Sequence, residues 1–181
     1  QPAPPRRPAS HPTWSLPLAG RYPSNSASTL RSPTFDFTFA PVTRLNFDLW
    51  NRTENGFDGS KLQVSLDSGR SWYDVPASVT NYNGSVPGLA TTFGRGAGGW
   101  TGATFGRLTP TTITIPLTRL RGQSTVDFRW VFYADATIEG AGTTLSNIQV
   151  NAQTDLQAPT NLTATETTPG TIAWTWQDRS T

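Results

Sequence analysis

The side chains available for chemistry are few. The 181-residue chain has no Cys and a single His, His11, set in a proline-rich stretch. Without Cys there are no disulfides, thiolate metal sites or thiol nucleophiles, and a lone His removes the usual general base for serine catalysis. Carboxylates remain. The loop NRTENGFDGS, residues 51–60, holds Glu54 and Asp58 among Asn, Gly and Asp residues that tolerate turn geometry. Paired carboxylates are the machinery of glycoside hydrolysis, but these two share one turn and do not face each other across a cleft. The simpler reading makes them solvated turn residues, with Asp58 hydrogen-bonding its own loop.

The elements that must position this loop are strands. In 45–50 Leu45, Phe47 and Leu49 share one face and Asn46, Asp48 and Trp50 the other, and Leu62, Val64 and Leu66 repeat the pattern after the loop. Phe35, Phe37 and Phe39 alternate with polar residues and predict another strand over 34–39, with Pro33 just before it. SNSASTL, 24–30, reads as polar connection. Short strands are expected at 14–18, 113–117 and 145–150. The most hydrophobic one, TVDFRWVFYAD at 125–135, should be central, and it ends at Asp135 in a loop that also carries Glu139.

SLDSGRSW, 65–72, fits the pattern Ser-x-Asp-x-Gly-x-Ser/Thr-Trp and resembles the Asp-box hairpin of many secreted β proteins. In such a turn Asp67 accepts backbone amides, Gly69 takes positive φ and Trp72 folds back over the hairpin, so the three are expected to be structural. The glycine-rich stretch 80–112 has Trp100 near its middle and TFGR at both 92 and 104. A segment this long is either functional or contains further strands. Its rings Phe93, Trp100 and Phe105 would stack on a sugar or cap the sandwich edge.

Composition agrees with a turn-rich β protein: 35% hydrophobic and 14% charged residues, with 16 Gly and 15 Pro. Fourteen basic against 12 acidic residues leave a net charge of +2. Thirteen of the basic residues are Arg and Lys61 is the single lysine. They are scattered, which argues against nucleic acid as partner. No apolar run is long enough to span a membrane. The chain opens on Gln1, as a product of signal-peptide cleavage would, so an extracellular or cell-surface location is expected.

Three segments follow. Residues 1–12, with Pro at 2, 4, 5, 8 and 12, read as an extended tail or linker. Residues 13–153 make a jelly-roll-like antiparallel β-sandwich. Residues 154–181 are a linker and the first strands of another unit: APTNLTATETTPGTIAWTWQD resembles the start of a fibronectin type III domain, with Ile172, Trp174 and Trp176 on one face. Two strands cannot bury those tryptophans alone, so a neighbouring domain or another subunit is expected to complete the sheet.

Residues 29–150 resemble the MAM-like jelly-roll modules found in secreted bacterial surface proteins and as accessory domains of proteases. The likeness is carried by LRSPTFDF (30–37), the stretch 45–72, GGW (98–100), VDFRWVFYAD (126–135) and SNIQV (146–150). The resemblance implies a non-catalytic extracellular module, often with calcium near its acidic loops. Glu54 and Asp58 match the acidic loop and Asp135 the acid that ends the long strand. Three carboxylates plus backbone carbonyls would be adequate for calcium, which takes six to eight hard oxygen ligands. Where the family closes on a Trp-Tyr-Ile-Asp-Asp-like run, this chain reads TTLSN (143–147).

The leading functional expectation is a structural or adhesive module, a subunit of a filament or surface layer joined by strand pairing through Ile172, Trp174 and Trp176. Its partners would then be other copies of the chain or neighbouring domains of a longer surface protein. The alternative is a carbohydrate-binding module stacking glycans on Trp50, Tyr82 and Trp100, which requires those rings to lie exposed together. Asn51, Asn83 and Asn161 each begin a triplet of the N-glycosylation pattern.

Overall fold

The computed structural model describes residues 13–17, 19–39, 42–103, 109–152, 160–168 and 171–177, with side chains up to residue 151 apart from 42 and 43. In chain order the strands are β1 (Trp14–Leu16), β2 (Ser26–Arg31), β3 (Val42–Arg52), β4 (Gly59–Ser65), β5 (Tyr73–Asp74), β6 (Gly84–Ser85), β7 (Gly98–Thr101), β8 (Thr111–Pro116), β9 (Asp127–Ala134), β10 (Gly142–Ala152), β11 (Thr160–Thr168) and β12 (Thr171–Gln177). Two short helices, α1 (Ala77–Thr80) and α2 (Pro87–Phe93), interrupt them.

The architecture is an all-β antiparallel sandwich. One sheet has the order β1-β10-β3-β8 and the other β2-β9-β4-β7-β6, with β5 also paired to β4. Alternation drives the layering: Leu45, Phe47 and Leu49 of β3, Ile113 and Ile115 of β8 and Leu145 of β10 are buried from one side. Leu62 of β4 and Phe128 and Trp130 of β9 meet them from the other, with Trp100 among them. Phe47 packs edge-on against both Trp100 and Trp130, at 5.8 and 5.3 Å between centroids.

The second sheet is buried on its outer face too. Val86, Leu89 and Val131 form a small cluster there, with Phe93 and Tyr133 against it. Beside them Lys61, Gln63 and Ser65 of β4 are buried although their types suggested a wet face. Lys61 donates to the carbonyls of Gly94 and Gly96 at 2.8 and 2.9 Å and pairs with Asp74 at 2.9 Å. All three ammonium protons are therefore used, which is what makes a buried lysine tolerable.

Two sequence expectations are corrected and one is decided between its alternatives. Residues 34–39 do not form a strand: Phe35 makes one bridge to Val126, Phe37 is buried and Phe39 is 96% exposed. Asp36 is the cause, since its Oδ1 accepts the Thr38 amide at 2.9 Å in an Asx-type turn that ends the extended run. The edge strand is instead β2, in the segment read as connection, and all six of its residues pair with β9. Apart from Leu30, which packs on the core, its inward side chains are small and polar, so the segment carries little hydrophobic signal and its ladder comes from its neighbour. Of the two readings of 80–112, the one with further elements holds: the stretch contains β6, α2, β7 and the first two residues of β8.

The C-terminal strands β11 and β12 pair with each other as a separate two-stranded antiparallel sheet, with Ala164 opposite Trp174 and Glu166 opposite Ile172. Their backbone alone is described; the proline-rich tail and Phe105 lie outside the described residues. Among the described residues no helix is long and apolar enough to cross a membrane.

Candidate functional site

Three connections meet at one end of the second sheet: residues 53–58 between β3 and β4, residues 135–141 between β9 and β10, and the segment leading into β2. They bring together Glu54, Asp58 and Asp135, one carboxylate oxygen of each lying within 4.8 Å of the other two. The long pairing of β4 with β9, from Gly59 opposite Tyr133 to Ser65 opposite Asp127, sets this convergence, because it ends both strands at the same level.

Asp58 is buried and joins all three connections. Its Oδ1 accepts the Asp135 amide at 2.7 Å, and its Oδ2 accepts the Tyr22 hydroxyl at 2.5 Å. Tyr22 is itself buried edge-on against Phe132, and its oxygen accepts the Glu54 amide at 3.2 Å. The reading of Asp58 as a solvated turn residue is therefore overturned. Thr101 on β7 braces the loop from behind, its hydroxyl lying 2.6 Å from the Asp58 carbonyl and accepting the Gly56 amide at 2.8 Å.

The electrostatics are unfavourable for three bare carboxylates. Burial, then repulsion from Asp135 and Asp58, pushes the Glu54 carboxyl above its ordinary value. Burial does the same to Asp58, aided by Asp135 and Glu139 and opposed by the bonds from Tyr22 and the Asp135 amide. Oε2 of Glu54 is shut from solvent and has no hydrogen-bond partner. A hard divalent cation fits this donor set: it would take the orphaned oxygen, draw on the second lone pairs of the Asp58 oxygens and offset the repulsion.

Sequence reasoning missed Tyr22. It sits in a polar segment with no periodicity, so nothing in the sequence marks it.

The turn 65–72 is held as its residue types imply. Asp67 Oδ1 accepts the Ser71 amide at 2.8 Å and the Ser65 hydroxyl at 2.7 Å, and these bonds pull its carboxyl down to about 2. Gly69 has φ +85°, where only glycine is at ease, and the Trp72 indole donates to its carbonyl at 3.1 Å.

The proposed sugar-stacking rings do not form a surface. Trp100 is fully buried, donating its indole N–H to the Thr80 carbonyl at 3.2 Å. Tyr82 packs edge-on against it at 4.8 Å, its hydroxyl bonded to the backbone of Leu62. Trp50 alternates with the inward Leu49 and so points away from the core that holds Trp100. Asn51 is only 1% exposed, with its amide bonded to the carbonyls of Trp100 and Gly102, so a glycan there is incompatible with the fold. The Asn83 amide pairs with both backbone groups of Thr101, at 2.8 and 2.9 Å, and would have to release one to be glycosylated. The Asn161 side chain lies outside the described residues.

No protein-family model matches the chain and no curated protein matches it, so the assignment of the site rests on its own chemistry.

Proposed function

We propose that the chain is a non-catalytic structural or adhesive module of a secreted, cell-surface protein, braced at one end by calcium on Glu54, Asp58 and Asp135. The observation that carries the reading is the meeting of these carboxylates from two connections some eighty residues apart, two of them held above their ordinary proton affinity and one with an orphaned oxygen. Asp58 already ties the connections together, so a cation there would fasten the end of the sandwich. The MAM-like and fibronectin type III resemblances belong to the same reading.

Assembly is the second part of the proposal. A lone two-stranded hairpin is marginal in water, and among the described residues nothing pairs with the outer edge of β11 or β12, which leaves both for another chain or domain. In this reading Ile172, Trp174 and Trp176 supply the apolar face that such pairing buries, giving a filament or surface layer. The carbohydrate-binding alternative through Trp50, Tyr82 and Trp100 loses its support, since the three rings do not lie exposed together.

Thermal melting at pH 7 with calcium or with chelator tests the cation. A ligand held at a hundredfold excess over its Kd stabilises the native state by about 2.7 kcal/mol, so Tm should rise with calcium. Asp58→Asn retains an acceptor for the Asp135 amide and should abolish the rise. An unchanged Tm for the parent chain at millimolar calcium would end the proposal.

A further inference from the structure

At the opposite end of the second sheet, Arg31 on β2 stands directly across from Arg129 on β9. Like charges at directly opposed positions destabilise an antiparallel pair. Both guanidinium groups lie against one ring: the Arg129 Cζ is 4.3 Å and the Arg31 Cζ 5.6 Å from the Trp72 centroid. Phe93 is 5.9 Å from the Arg129 group. Arg95 continues the row, 4.5 Å over the Tyr73 ring with its Nε donating to the Trp72 carbonyl at 3.1 Å.

The nearby carboxylates are already engaged. Asp127 takes Arg31 at 3.2 Å and the Thr34 hydroxyl at 2.6 Å. Asp74 takes Lys61, the Gln63 amide and the Gly96 amide. Asp67 is taken up by its own turn. Arg129 donates its Nε to Gln63 at 2.8 Å, and among the described residues it has no carboxylate partner and no bond from its two Nη groups. Its fork is held by aromatic packing with both Nη groups left to donate, the arrangement that suits a bidentate carboxylate.

We infer that this end of the sheet binds a carboxylate-bearing glycan, Arg129 taking a sugar carboxylate on its fork and the half-exposed Tyr73 ring giving apolar contact to a sugar face. A uronate polymer carries one carboxylate per ring, which matches guanidinium groups interleaved with Phe93, Trp72 and Tyr73. Duplex nucleic acid presents a charge about every 1.7 Å and rewards a long cationic stripe. Here three arginines, Arg31, Arg95 and Arg129, gather at one end of a chain whose net charge is +2. The inference draws on neither the acidic cluster nor the C-terminal hairpin, so its failure leaves the proposal above standing.

Affinity electrophoresis of the full chain tests it, in gels containing polygalacturonate, neutral dextran or duplex DNA at matched charge concentration. Polygalacturonate should retard the chain and dextran should not. Arg129→Gln should weaken retardation about tenfold, and Arg129→Lys should recover only part of it, because an ammonium keeps the charge and loses the fork. Arg95→Gln, which touches the row at its exposed edge, provides a second variant, and Arg52→Gln, exposed at the other end of the sandwich opposite Gly142, should behave as the parent. Melting curves establish that each variant is folded. No retardation by polygalacturonate, full retardation of both Arg129→Gln and Arg95→Gln, or equal retardation by DNA overturns the inference.

Discussion

Burial separates Asp58 from most of the described carboxylates, and its consequences are measurable residue by residue. With Glu54 and Asp58 both raised, the folded chain holds their protons to higher pH than the unfolded chain does. Without calcium, stability should therefore fall as pH rises from the ordinary carboxylate range through those raised values. Calcium favours the ionised forms and should flatten this fall, which melting curves across pH 4–8 with and without chelator would read as a shrinking difference towards acid. Asp67 behaves oppositely: its stabilisation is present above the ordinary carboxylate range and is lost as pH falls through about 2. Lys61 gives a second residue-scale test. Replacing it with Met leaves Asp74 and two carbonyls without their cation and should cost about 3 kcal/mol by urea denaturation. An effect within experimental error would mean that the 94–96 segment is held by something else.

At the scale of elements, β4 differs most from what its sequence suggested. It alternates apolar and polar residues, as a strand with one wet face would, yet the 94–96 segment covers its outer face, as α2 covers that of the neighbouring β9. Close approach makes this cover sensitive to volume. A Cβ on Gly88 would lie 1.9 Å from the Tyr133 ring, so Gly88→Ala must displace that ring or lift α2 from β9. The expected cost is about 2 kcal/mol, with faster amide exchange along β9 near Val131 and unchanged protection in β3. Equal loss of protection in both sheets would show that α2 is part of the main cooperative unit. The Asp67 turn is legible from its sequence because its bonds are local, made within residues 65–72.

At the scale of the whole molecule the sandwich closes its own core, whereas β11–β12 forms a sheet by itself. Deleting residues 157–181 should leave Tm of the sandwich unchanged and abolish assembly, read by light scattering or sedimentation; persistent assembly of the truncated chain would exclude the hairpin as the joint. The β class, the alternating faces of β3 and β9 and the Asp67 turn were legible in the sequence. These are readable because period-two burial and turn chemistry are properties of neighbouring residues. The meeting of Glu54, Asp58 and Asp135, the hold of Tyr22 on Asp58, the strand β2 and the burial of Trp100 became visible only in three dimensions. The fold also brought Arg31 opposite Arg129 under one tryptophan. Each of these depends on which strand lies beside which, and pairing across some hundred residues leaves no trace in local periodicity.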